Sequence, residues 1–112
     1  MTDCLFCKIA NRELNSEIIY EDDKCLAFND INAQAPTHIL IIPKRHIATI
    51  NDLDDQELAG HIVLTATKLA KQLGHSDEVY RLNWNCNKAG GQEVYHIHLH
   101  LLAGRQMLWP PG

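Results

Sequence analysis

His96-Ile97-His98-Leu99-His100-Leu101-Leu102 is the stretch from which the fold can be read. Histidine recurs at every second position, with apolar residues between. On a helix, a step of two residues turns through about 200°, which would point His98 away from His96 and His100. On a strand, alternate side chains share a face, so the three imidazoles line one surface while Ile97, Leu99 and Leu101 line the other. Imidazole is costly to bury without partners, and three in a row repel one another when charged. The pattern predicts a strand with a working surface on one side and a hydrophobic core on the other.

Immediately upstream, Asn87-Lys88-Ala89-Gly90-Gly91-Gln92 is turn-rich and leads through Glu93-Val94-Tyr95 into the histidine strand. Alone, a Gly-Gly pair is a hairpin connection. Beside three histidines it also offers close backbone approach and N–H groups for an anion. Residues 79–85 read as the strand before it. Further back, His38-Ile39-Leu40-Ile41-Ile42-Pro43 is an almost unbroken apolar run, which suits a central strand covered on both faces. His38, at its start, reads by itself as a hydrogen-bonded structural histidine. Residues 17–20 and 25–28 form a hairpin about Glu21-Asp22-Asp23-Lys24. Asp30, just past that hairpin, either reaches a ligand's hydroxyls or caps the turn Asn29-Asp30-Ile31-Asn32.

One long helix is predicted from Asp54, with Glu57 completing a capping box. Leu58, Ile62, Thr65, Ala66, Leu69 and Leu73 keep helical spacing, Gly74 is a C′ stop, and Lys68 and Lys71 suit the negative end of the helix dipole. The helix covers the apolar face of the sheet, and His61 and His75 read as surface residues. In the tail, Trp109-Pro110-Pro111 is rigid and apolar, and is expected to dock on the body of the fold or on a second subunit.

Composition bounds the function classes. A chain of 112 residues, 46% apolar and 21% charged, without repeats or low-complexity tracts, is expected to be a single domain spanning 1–112. A net charge of −4 excludes a broad cationic surface for a nucleic acid or an anionic membrane. Any phosphate-bearing ligand must be held locally. No run approaches the roughly twenty apolar residues of a bilayer span, and Met1-Thr2-Asp3-Cys4 lacks a basic region followed by an apolar one. A cytoplasmic location is expected. There Cys4, Cys7, Cys25 and Cys86 are free or metal-bound rather than disulfide-bonded. Cys4-Leu5-Phe6-Cys7 opens a short helical segment through Ala10. Its Cys-x-x-Cys is half a zinc site, a redox pair or chance. A thioredoxin-type site would need a preceding strand and a parallel βαβ pattern, which are absent. His46 and His96 are the natural further ligands.

These residues resemble the histidine triad (HIT) superfamily, and within it the histidine triad nucleotide-binding proteins of the purine phosphoramidase branch. The likeness runs from about Cys4 to Gly112. It is carried by the alternating histidines, Ala35-Pro36-Thr37-His38, Ile42-Pro43-Lys44-Arg45-His46, Gly90-Gly91-Gln92 and Trp109-Pro110-Pro111-Gly112. The resemblance implies an α+β fold, with a five-stranded antiparallel sheet, one long helix and a short N-terminal helix. It also implies a homodimer whose sheet continues across both subunits. The implied activity is hydrolysis of purine nucleoside 5′-phosphoramidates and aminoacyl adenylates, releasing AMP. His98 would be the nucleophile, flanked by His100 and His38. Asp30 would bind the ribose, Phe6, Phe28, Ile31 and Leu40 would form the base slot, and Asn85, Gly91, Gln92 and Val94 would lie along the phosphate side. Trp109 would reach the partner's site. Glu93 stands where eukaryotic members carry a serine that assists the leaving group, and bacterial members commonly have Glu there. Cys4, Cys7, His46 and His96 match the zinc quartet of some bacterial members, as a structural metal closed by four protein ligands.

The chemistry suits the residues. Neutral imidazole is a good nucleophile near pH 7, and attack on phosphorus splits one hard displacement into two easier ones. No Walker loop or carboxylate cluster for metal-assisted transfer is present, so no catalytic cofactor is expected. Three rivals stand beside this reading: a metal site on the histidine strand, a non-catalytic nucleotide-binding module, and a dinucleoside polyphosphate hydrolase.

Overall fold

The structure, a computed structural model, describes residues 4–112. Seven elements run in chain order: α1 (Leu5–Ala10), β1 (Ile18–Glu21), β2 (Cys25–Asn29), β3 (Thr37–Pro43), α2 (Gln56–Gln72), β4 (Tyr80–Asn83) and β5 (Leu99–Ala103). The five strands form one sheet in the order β1-β2-β3-β5-β4, with every neighbouring pair antiparallel. This is the α+β architecture expected from the sequence.

Alternation along the central strands divides the interior into two layers. Cys25, Ala27, Ile39, Ile41, Leu99 and Leu101 face α2, where they meet Leu58, Ile62, Ala66 and Leu69. The intervening residues Leu26, Phe28, Leu40 and Ile42 face the other way, against Phe6 and Ile9 of α1. Covering both faces explains the unbroken apolar run in β3, and burying each large aliphatic side chain contributes about 1.5–3 kcal/mol. His38 and His100 belong to the α1 side by the same parity, since Leu40 pairs with His100 and His38 with Leu102. The functional face is therefore the one that α1 only partly covers.

Several local expectations shift. The histidine strand begins at Leu99, so His96 and His98 precede the ladder. Here the chain is diverted, the Ile97 N–H donating to the Ile47 carbonyl at 2.8 Å instead of to a strand neighbour. The N-cap of α2 is Asp55, whose carboxylate accepts the Leu58 N–H, rather than Asp54; a capping box is found instead on the separate short 3-10 turn Ile50–Asp52, between Thr49 and Asp52. Gly74 ends α2 with φ +85°, as a C′ glycine should. Asp55→Ala leaves an orphaned amide at the helix start and is expected to lower stability by about 1 kcal/mol in urea denaturation.

His61 and His75 are not free surface residues. His61 Nε2 lies 2.6 Å from Asp22 Oδ2, and His75 Nε2 lies 3.1 Å from Thr37 Oγ1. Asp22 also accepts the Tyr20 hydroxyl and the backbone N–H groups of Lys24 and Cys25, tying the β1–β2 turn to α2. The tail is held to the body by its backbone, with Arg81 donating to the Leu108 carbonyl. Trp109 itself does not dock on the body of the fold and is 83% exposed.

Candidate active site

Three hydrogen bonds fix where the imidazole protons sit. The Gln34 backbone N–H donates to His38 Nδ1 at 3.0 Å, so that nitrogen carries no proton and Nε2 is the donor. His38 Nε2 lies 2.9 Å from His100 Nδ1, which must then accept, leaving the His100 proton on Nε2. That Nε2 is buried without a partner among the described residues. His98 Nδ1 is 2.8 Å from the His96 carbonyl, which can only accept, so the proton is on Nδ1 and Nε2 keeps a bare lone pair. A bare nucleophilic nitrogen and an unpartnered N–H donor thus stand side by side, on rings whose centroids are 4.9 Å apart.

Electrostatics keep this trio neutral. Burial pushes the His98 imidazolium below its ordinary range, with the His96 carbonyl pulling back. Burial, reinforced by His98 and His38, lowers His100 to about 4. His38 is lowered by burial too, opposed by the Asp30 carboxylate, whose Oδ2 lies 3.4 Å from its Nε2.

His98 and His100 open onto a cavity of about 400 Å³, within the range of small-molecule sites. Phe6, Phe28, Asp30, Ile31, Leu40, Gly91, Glu93 and Val94 line it with them. Phe6 meets Phe28 edge to face at 5.4 Å and His98 at 5.1 Å, forming an apolar wall beside the imidazoles. Asp30 both lines the cavity and caps its turn, Oδ1 accepting the Asn32 N–H at 2.9 Å. Gly91 has φ +92°, a conformation that favours glycine, and its backbone lies against the Asn85 amide.

Four expected residues do not line the cavity. His38 is behind His100, and Asn85 is behind Gly91. The buried Gln92 side chain serves the loop, accepting the Asn87 N–H and donating to the Ala48 and Val94 carbonyls. Trp109 extends outward on the tail. Conversely, Leu5, Ile9, Leu14, Asn15, Ser16, Asn29 and Asn32 line the cavity and were not anticipated. Leu14 to Ser16 lie in an irregular connection where no periodicity could mark them.

His96 belongs to a second centre. It is fully buried, and its Nε2 donates to the Pro43 carbonyl at 2.8 Å, leaving the Nδ1 lone pair 3.4 Å from Cys4 Sγ and 3.5 Å from Cys7 Sγ. His46 Nδ1 is 3.3 Å from Cys7 Sγ. A tetrahedral zinc with ordinary Zn–S and Zn–N bonds needs sulfur and nitrogen about 3.6 Å apart. All four ligand atoms lie within 4.8 Å of one another, and the Pro43 carbonyl supplies the outer hydrogen bond that orients a metal-ligating histidine. The donor set fits zinc.

Comparison with known proteins finds relatives along nearly the whole chain. The chain is 50% identical over 107 residues to the purine nucleoside phosphoramidase of Escherichia coli strain K12, covering 94% of this chain and 90% of that protein. It is 51% identical over 112 residues to an uncharacterized HIT-like protein of Synechococcus elongatus, covering 98% of this chain and 97% of that one. The crystal structure of a HIT family hydrolase from Legionella pneumophila Philadelphia 1 superposes with a TM-score of 0.96 at 61% identity, covering 98% of this chain and all of that one. The HIT domain sequence model matches residues 11–107. The chain belongs to the HIT domain family.

Proposed function

We propose that the chain is a hydrolase of purine nucleoside 5′-phosphoramidates and aminoacyl adenylates, releasing AMP through a nucleotidyl-histidine. The observation that carries this reading is the pairing of the bare His98 Nε2 with the unpartnered His100 Nε2–H on one cavity wall. The neighbouring relative named purine nucleoside phosphoramidase supplies the substrate class.

In this mechanism the nucleoside lies between Phe6, Phe28, Ile31 and Leu40, with Asp30 at the ribose. His98 Nε2 attacks the α-phosphorus while the P–N bond breaks and the leaving nitrogen takes up a proton from solvent. His100 Nε2–H donates toward the phosphoryl oxygens, where charge accumulates. His38 holds His100 in the donating tautomer, and Glu93, at the cavity mouth, is placed to handle the leaving amine. Water then attacks the nucleotidyl-histidine and gives up a proton to solvent, replacing the one taken by the amine, which frees AMP and restores neutral His98. Val94 and Gly91 bound the phosphate side, with Asn85 and Gln92 supporting that loop. No step needs a metal, so a zinc held by Cys4, Cys7, His46 and His96 would be structural. A homodimer would pair through the β4 edge and bring Trp109 to the partner's cavity.

The test is alkaline quenching during turnover of a tryptamine adenosine phosphoramidate, since the P–N bond of a nucleotidyl-histidine is labile to acid, followed by peptide mass mapping at neutral to basic pH. Adenylate on His98 is expected; adenylate elsewhere, or AMP release with none, overturns the mechanism. A diadenosine polyphosphate offered alongside should be the poorer substrate, because its leaving group is not a protonatable amine. Asp30→Ala removes a charged acceptor from the ribose. It is expected to raise KM about tenfold or more with little change in kcat, as read by steady-state kinetics.

A further inference from the structure

The two centres share parts. Helix α1 spans only Leu5–Ala10, too short to hold its shape unaided. Its start is organised by the thiols, since Cys4 is the N-cap and its sulfur accepts the Cys7 N–H at 3.4 Å. Between the two cysteines in sequence stands Phe6, which forms the apolar wall against His98 and Phe28. Leu5 and Ile9 of the same helix also line the cavity. The second shared part is His96: its ring completes the thiol cluster, while its carbonyl accepts the proton that leaves His98 Nε2 bare. One residue therefore belongs to the Cys/His donor set and also anchors the neighbouring nucleophile's tautomer.

Resting on the nucleotide and zinc readings above, we propose that the Cys4–Cys7–His46–His96 centre is a positioning device for the nucleotide site. Zinc held there tightens nucleotide binding, and bound nucleotide tightens zinc by the same factor. Without metal, the two thiols offer the histidines only weak S–H hydrogen bonds. Helix α1 is then held by the packing of Phe6 and Ile9 against Leu26, Phe28, Leu40 and Ile42. A nucleotide entering that form must order the wall that it binds. With metal in place, α1 is joined to the loop after β3 and the segment before β5, and the ordering is done beforehand. Reciprocity is a thermodynamic necessity once the two events share that ordering.

The experiment measures both arms on the full chain. Zinc affinity is read by competition with a chromophoric chelator, with and without saturating AMP. AMP affinity is read by calorimetry, with zinc and after chelation. The same factor is expected in both arms, about 5- to 50-fold. If both ligands bind and neither alters the other's affinity, the coupling is overturned while the proposed function stands. If AMP binds neither form, the nucleotide reading falls together with the coupling; if zinc fails to bind, the metal reading falls with it. Cys4→Ser, checked for a retained sheet by circular dichroism, should bind AMP as the chelated native chain does, whether or not zinc is added. Should that variant fail to fold, the chelation arm on the native chain decides alone.

Discussion

His98→Ala will abolish turnover, lowering kcat/KM for an adenosine phosphoramidate by about 10⁴-fold or more while leaving the fold intact. The size follows from what the residue does. In this site His98 alone combines a bare imidazole nitrogen with a position on the cavity wall: His38 and His100 are locked into donating tautomers by the chain that begins at the Gln34 N–H. Neither can take over the attack without surrendering a hydrogen bond. Removing the ring leaves the His100 donor and the apolar slot in place, so AMP should still bind with an affinity within a few-fold of the native chain. Single-turnover kinetics with a parallel calorimetric titration of AMP checks both halves. Residual turnover within a hundredfold of native would mean that water attacks phosphorus directly, and the covalent mechanism would fail.

Much of this was legible in the sequence because the decisive information was periodic. Step-two alternation marked the histidine stretch as a strand, and the closed apolar run marked β3 as a central one. The five-stranded sheet, by contrast, came from the family resemblance, and the pairing that puts His38 and His100 on one face is visible only in the structure. Tertiary hydrogen bonds could not be read that way. Ile97 finds Ile47, and this ends the ladder at Leu99. Asp22 gathers His61 across the gap between turn and helix, so a histidine that resembles a solvated surface residue is anchored. Nor could periodicity show Gln92 turning inward to hold its loop, or Leu14 to Ser16 coming up to the cavity from an irregular segment. The tautomers were the least legible feature. They depend on which backbone group faces which ring nitrogen, and that is settled only once the loops close.

The same buried neutral imidazoles make the fold sensitive to acid well before its carboxylates titrate. Burial lowers His96 and His100 to about 4 and also pushes His38 and His98 down. The unfolded chain protonates these groups near pH 6.5. Below that value the unfolded state binds more protons than the native state, so stability falls with falling pH. The loss begins near 6.5, accumulates down to about 4 where the native His96 and His100 also protonate, and then levels off for these groups. A shift of this size on His100 alone corresponds to about 3 kcal/mol, enough to matter against a typical total of about 5–15 kcal/mol. Asp22 acts in a separate window. Burial opposes its ionisation, but the Tyr20 hydroxyl, the backbone N–H groups and His61 outweigh it and hold the carboxyl well below its usual range. Its stabilisation is present above about 3.8 and is lost only at lower pH. The unfolding free energy from urea titrations at pH 7, 5.5 and 4 should therefore fall steadily in the chelated chain, by several kcal/mol in total. His100→Asn, which keeps an amide near His38 without a titrating ring, should flatten that slope, and an unchanged slope would show that His100 is not held neutral by burial.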